Sequence, residues 1–272
     1  MGISIPDTLT ADNSGKYIMS IRLRSDGLSF SGYEPSVGGS FFYREVEFDR
    51  AVSFISSLKD FLFAHEFLTW TYKCLNVVCV DPKYTILPAS YWIDDKENDV
   101  LDYCFSSFNK HGFSDVLSES QMRLLFGLEE EVYEFCSRSL LRPQFFHYMT
   151  APLLLWKRRS AVALSRQMCV MIEKKRMDIA CFSQDKLLFV NTFAINQLND
   201  ILYYLLFVWK QVGFDPEKDE LNLFCDLSLR IRLMERLRVY LRHVKPMDIP
   251  AETYLFGADI SRAPFDIISL LI

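Results

Sequence analysis

Two short stretches of the sequence bring several cations within a few residues of one another. In "SIRLRSDG" they are Arg22 and Arg24, and in "MIEKKRMDIA" they are Lys174, Lys175 and Arg176. Guanidinium and ammonium groups so placed can hold an anion, such as a nucleotide or polyphosphate, through charge-assisted hydrogen bonds and without a metal. Both stretches also read as tight turns between strands, and turns at a wet surface collect charge for no purpose beyond solvation. A third basic run contains Arg230, Arg232, Arg236, Arg238, Arg242 and Lys245, opposed within its span only by Glu235. A face of this kind suits nucleic acid, an acidic protein or anionic lipid, or simply solvates an amphipathic helix.

Other reactive side chains lack the spacing that chemistry needs. His65, His111, His147 and His243 are scattered with no HExxH, and the chain has no GxSxG elbow, P-loop or GxGxxG. The seven cysteines, Cys74, Cys79, Cys104, Cys136, Cys169, Cys181 and Cys225, are odd in number and form no CxxC. Most fall in apolar, strand-like segments, so they read as buried free thiols of a reducing compartment. No metal site and a cytoplasmic location are the expectations.

Composition narrows the classes further. Half of the 272 residues are apolar and 24% are charged, the balance of a globular chain with a sizeable core. A formal charge of −5 argues against a protein that coats nucleic acid through its overall field. No apolar run reaches the roughly 20 residues that span a bilayer, and the longest, Ile201 to Trp209, suits a buried helix. The opening "MGISIPDTLTADNSG" has no basic region followed by an apolar core, so residues 1–15 read as a flexible leader rather than a secretory signal.

The elements that would position these side chains occur twice. Tyr17–Leu23 and Leu28–Tyr33 flank the hairpin signal Asp26-Gly27, and a third strand follows near Phe41–Val46. Asp49 is the expected cap of a helix with Val52, Ile55, Leu58 and Leu62 at helical spacing, and "LNVVC" is a buried strand. The second set has strands at Met168–Glu173, Arg176–Phe182 and Leu187–Phe193, a helix capped by Asn196, and then "LNLFC". The two pentapeptides share three of five residues, and the shared order of elements carries the inference of duplication. A helix over Leu229–Leu241 closes the second set. In the first, the strand "YTILPASYW", a helix over Lys96–Phe108, "MRLLFGL", a helix over Glu129–Leu140 and "QFFHYM" intervene before a helix opens at Thr150-Ala151-Pro152.

Two β-β-β-α-β-α units joined by a helix resemble the duplicated actin-like (ribonuclease H-like) α/β fold of the actin, Hsp70 and sugar-kinase superfamily. The small size is similar to the actin-like proteins of type IV pilus assembly. The pattern resembles still more closely a family of uncharacterised Bacteroidetes proteins, a domain of unknown function with an actin-like ATPase fold. The resemblance implies two halves, residues 16–150 and 151–272, divided by a central cleft across which the two basic hairpins face each other. It also implies where ATP would bind: an Asp-x-Gly-Thr hairpin in each half, with a carboxylate for hydrated magnesium and glycines for phosphate, and a Gly-Gly pair after the fourth strand of the second half.

All three motifs are altered here. Arg22 stands at the first Asp position and Arg24 at the Gly position. Met171 stands at the second Asp position, with Glu173, Lys174 and Lys175 where glycines belong, and Cys225-Asp226 replaces Gly-Gly. "YLFGADISRAP" imitates the adenosine motif but follows the returning helix instead of preceding it. Metal and oriented amides supply most of the transition-state stabilisation in phosphoryl transfer. The expectation is therefore a chain with no bound cofactor and little ATPase activity, acting as an interaction or scaffold module for a protein partner. A divergent ATPase or kinase is the alternative, as is a metal-independent anion binder using Arg22, Arg24, Lys174, Lys175 and Arg176.

Overall fold

The computed structural model describes residues 4–105, 108, 110–117, 121–247 and 249–272. The chain divides into two compact units, one comprising the residues up to Thr150 together with Pro250–Leu271, the other Ala151–Ile249.

The first unit opens with a meander. β1 (Ile18–Arg24) pairs antiparallel with β2 (Gly27–Tyr33), and β2 pairs antiparallel with β3 (Phe42–Glu47). Gly27 is required at the turn because its φ is 149° and an added Cβ would lie 2.1 Å from the Val46 carbonyl oxygen of β3. Helix α1 (Phe54–Ala64) follows. Its cap is Ser53, whose side chain accepts from Ser56 N, rather than the expected Asp49. Asp49 instead accepts from Ala51 N in the turn before it. The chain then returns as β4 (Cys74–Cys79), parallel to β1.

A three-stranded sheet comes next. β5 (Tyr84–Pro88), β6 (Lys110–Leu117) and β7 (Met122–Glu129) are ordered β5-β7-β6, with α2 (Glu97–Cys104) between β5 and β6. α2 ends before Phe108, and Ser106 and Ser107 of the expected longer helix lie outside the described residues. Helix α3 (Glu130–Ser139) leads to β8 (Gln144–His147), which completes the main sheet in the order β3-β2-β1-β4-β8.

The second unit begins with α4 (Thr150–Ala161), whose first residue belongs to the first unit. β9 (Gln167–Glu173), β10 (Arg176–Ser183) and β11 (Lys186–Ala194) repeat the antiparallel meander. Helix α5 (Leu198–Val212) starts at Gln197, not Asn196, through a reciprocal capping box with Asp200, and stops at Gly213. β12 (Glu220–Phe224), α6 (Leu227–Leu237) and β13 (His243–Pro246) finish a sheet ordered β11-β10-β9-β12-β13, with β12 parallel to both its neighbours. The two main sheets thus share strand order and strand direction. Each has its own apolar core: Met19, Ile21, Leu58 and Val77 are central to the first, and Val170, Ile179, Leu205 and Leu223 to the second.

Two segments pack differently from their sequence reading. The described part of the expected flexible leader, residues 4–15, contributes the buried Leu9 to the first core, and Ser14 Oγ donates to the Thr71 carbonyl. Pro250–Leu271, placed by sequence with the second half, is part of the first unit. Its backbone is tied to the β2–β3 loop by Gly39 N to Leu255 O and Phe41 N to Phe256 O, both 2.8 Å. Asp259 adds bonds to Tyr43 N and to the Arg44 guanidinium.

Candidate functional site

Alternation along β1 sends Met19, Ile21 and Leu23 into the core and Ser20, Arg22 and Arg24 to the other face. That second face is covered as well. Arg22 is 0% exposed, and its Nε donates to Asp266 Oδ2 at 2.6 Å from the short helix Phe265–Ser269 of the C-terminal segment. Arg24 Nε donates to Asp26 Oδ1 at 2.8 Å. Its Nη1 lies 2.9 Å from Glu45 Oε1, an ion-pair contact without hydrogen-bond alignment. The two arginines of the first hairpin therefore hold carboxylates of their own unit.

The hairpin between β9 and β10 behaves similarly. Arg176 donates from Nη2 to Glu173 at 2.8 Å and from Nε to Asp178 at 3.0 Å, and Asp178, fully buried, also accepts from Thr192 Oγ1. Lys174 takes φ 53°, the left-handed conformation of the turn, where a glycine would ordinarily sit. Lys175 is exposed beside it. Met171, at the second Asp position, is buried. At the third motif Asp226 caps α6, accepting from Leu229 N at 3.0 Å, and those backbone bonds hold its carboxyl below the usual range. Of the five cations expected to hold an anion, Arg22 and Arg24 in the first unit are engaged by Asp266, Asp26 and Glu45, and Arg176 in the second by Glu173 and Asp178.

A concavity lies at the carboxyl edge of the first sheet, where β1 and β4 end side by side. Open sheets containing parallel strands commonly bind ligands at that edge. A cavity of about 330 Å³ is lined by Leu23, Phe54, Leu128 and Val132, with Arg24, Asp81, Lys110 and Glu129 as its polar groups. A second cavity of about 380 Å³ shares Phe54, Glu129 and Val132 with it and adds Glu130 and Glu131. Together they form one groove between the first turns of α1 and α3. Lys110 is ion-paired to Asp81 and lies 3.4 Å from Glu129. Burial pulls the Lys110 ammonium down, but its bond to Asp81 and the two acidic charges raise it above its ordinary value. Glu130 and Glu131 also favour the N-terminus of α3.

Behind the groove lies a buried polar cluster. Asp115 Oδ2 accepts from His147 N at 2.7 Å and from Thr150 Oγ1 at 2.5 Å. Desolvation pushes its carboxyl up to about 6, against the lowering effect of those two bonds. The His147 ring is committed to structure: Nδ1 accepts from Met149 N, so Nε2 carries the proton and donates to the Asp81 carbonyl at 2.9 Å. This is not an acid–base relay, since Asp115 engages the backbone of His147 and not its ring. Among the described residues no group of three or more His, Cys, Asp or Glu could hold a metal ion. Neither the groove nor Asp115 was singled out by sequence, although Arg24, one of the candidate cations, is among the groove's polar groups.

A family described as "Protein of unknown function (DUF3822)" matches residues 6–244. The chain belongs to this family. A solved structure from Bacteroides thetaiotaomicron, a protein with actin-like ATPase fold and unknown function, has a TM-score of 0.82 and 27% identity, covering 98% of this chain and 99% of that one. The PilM-PilN type IV pilus biogenesis complex matches with a TM-score of 0.52 and 13% identity, over 93% of this chain and 94% of that one, a likeness of fold alone. No curated protein matches the chain. The fold is thus a duplicated actin-like α/β fold, as the order of elements implied. In this member of the DUF3822 family, Arg22 of β1 is a buried, ion-paired arginine.

Proposed function

We propose that the chain is a non-catalytic interaction module, carrying an actin-like fold without its nucleotide chemistry, and that it grips a segment of a protein partner in the groove of the first unit. The observation that carries this reading is Arg22. A guanidinium at the position that the resemblance gives to the magnesium carboxylate has no lone pair to offer a metal, and its burial against Asp266 removes it from any ligand in solvent. The groove supports the second half of the reading, since it combines apolar walls with an acidic rim of Glu129, Glu130 and Glu131. That chemistry suits a segment with an apolar anchor and a basic neighbour. PilM, a structural neighbour, forms a complex with PilN, and use of this fold to hold a partner is the analogy drawn here.

Two measurements test the proposal. Calorimetry and phosphate release with ATP and magnesium should show neither saturable heat nor turnover; micromolar affinity would make the chain a divergent ATPase or kinase. Affinity capture from the native source should recover a stoichiometric partner that Glu130→Lys with Glu131→Lys releases. Retention of the partner by that variant would move the interface elsewhere.

A further inference from the structure

The groove of the first unit continues past the first turns of its two helices. Lys59 Nζ of α1 lies 5.7 Å from the centre of the Phe135 ring of α3, and the Phe63 and Phe135 rings meet edge to face at 6.1 Å. Phe54 and Ile55 stand beside Glu131 and Val132 at the other end, so α1 and α3 run side by side in the same direction. Helical periodicity puts Ile55, Lys59 and Phe63 in one row on α1, and Glu131 and Phe135 in one row on α3. The two rows border a seam about 12 Å long, at 1.5 Å per residue. Its far end is apolar and wet, with Phe63 78% exposed. Charge is uneven along it. Glu129, Glu130 and Glu131 gather at the first-turn end, approached by Lys110 at 3.4 Å from Glu129 and His111 at 3.3 Å from Glu130. The far end is mixed: Lys59 and Asp60 lie on α1, and Arg138 pairs with Glu134 on α3 at 3.0 Å.

We propose that the groove takes an amphipathic helix of the partner, antiparallel to α1 and α3, with a basic last turn over Glu129–Glu131 and an apolar side chain against Phe63 and Phe135. This rests on the reading of the groove as a partner site and adds the form and direction of what fills it. Between their ends both helices bond their backbone internally, so the seam offers only side chains. An extended segment laid there would press its own N–H and C=O groups against apolar rings, whereas a helix satisfies them itself. The ridges of a third helix fit between two such rows. Direction follows from charge, because cations favour the last turn of a helix and only the first-turn end of the seam is net acidic. The same acidic rim repels anionic lipid and nucleic acid, which leaves a protein segment.

The test is fluorescence anisotropy of the full chain with three labelled peptides of leucine, alanine, glutamine and lysine. Each has about 16 residues, enough for helical structure in water. One is an amphipathic helix with its lysines in the last turn, the second carries them in the first turn, and the third is the first with two central residues changed to proline. The first should bind about tenfold more tightly than either of the others. Phe63→Ala should weaken it about tenfold, as loss of an anchoring contact does. No binding of the first peptide, equal binding of all three, or an indifferent Phe63→Ala variant would overturn the helix. If equal binding is lost in Glu130→Lys with Glu131→Lys, the groove still holds a basic apolar segment and only the helix is wrong. If the first peptide binds that double variant as tightly as wild type, the groove reading falls with it.

Discussion

Arg22 and Asp266 are both withdrawn from water, at 0% and 1% exposure, and each supplies the other with a counter-charge. Asp266→Ala would leave a guanidinium without its counter-charge in the interior and should cost about 3–5 kcal/mol in urea unfolding. Arg22→Met combined with Asp266→Leu should recover most of that loss, because an apolar pair of similar volume often replaces a buried ion pair without penalty. A double variant as unstable as the single one would show that the pair has a role beyond mutual neutralisation. Asp115 gives a second test at this scale. In the folded protein it holds its proton up to about pH 6, whereas the unfolded chain releases it near 3.8. The native state binds more protons between those values, so this residue lowers stability as pH rises through that window. Both of its donors use one oxygen, so an amide retains both bonds. Asp115→Asn should therefore be more stable than wild type at pH 7 by about 3 kcal/mol, the gap closing toward pH 4. A gap that does not change with pH would mean the carboxylate is well solvated.

At the scale of elements, the C-terminal segment is the piece that departs from a simple duplication. It is fastened to the β2–β3 loop around Gly257, whose φ is 141° and ψ 170°. Only glycine adopts that region readily, and an added Cβ would sit 3.2 Å from the carbonyl oxygens of Gly39 and Phe41. Gly257→Ala should lower stability by about 1–3 kcal/mol and increase amide exchange at Gly39 and Phe41. Unchanged exchange there would mean that the segment is anchored by Asp259 and Asp266 alone. Elements with strong local signals were legible in sequence: the two meanders, α1, α5 and the paired "LNVVC" and "LNLFC" strands. Their shared asparagines, Asn76 and Asn222, each bond to the neighbouring strand, at Ser20 and Gln167. β6 and β13 were not legible. β13 has four residues and ends in a proline, and β6 contains Gly112 and Asp115, types that disfavour strands. Both exist because a neighbouring strand supplies their hydrogen bonds.

For the molecule as a whole, an actin-like fold does not by itself imply nucleotide chemistry. A ligand present at one hundred times its Kd adds about 2.7 kcal/mol to stability, so millimolar ATP with magnesium would raise the unfolding temperature measurably even at a Kd of about 10 μM. The expectation is no metal-dependent rise. A clear one would show that the actin-like frame binds nucleotide by means other than its three usual motifs. Among the described residues no helix is long and apolar enough to cross a membrane.

The sequence by itself determined the duplicated architecture, because strand alternation, hairpin signals and helical spacing are local properties that repeat in the same order in both halves. It also gave the positions at which the chain departs from the nucleotide motifs that the resemblance implies, since a motif is read position by position. It did not determine what the substituted residues do. Arg22 looked like a surface cation because the carboxylate that neutralises it is 244 residues away. Asp115 carried no signal in the sequence, because its partners Thr150 and His147 reach it only when β6 lies beside β8. The groove has the same origin, as its walls come from β1, β4, β7 and two helix starts that are distant in the chain. Burial and charge pairing belong to neighbours in space, and those neighbours were chosen by the return of the C-terminal segment and the placement of the small sheet.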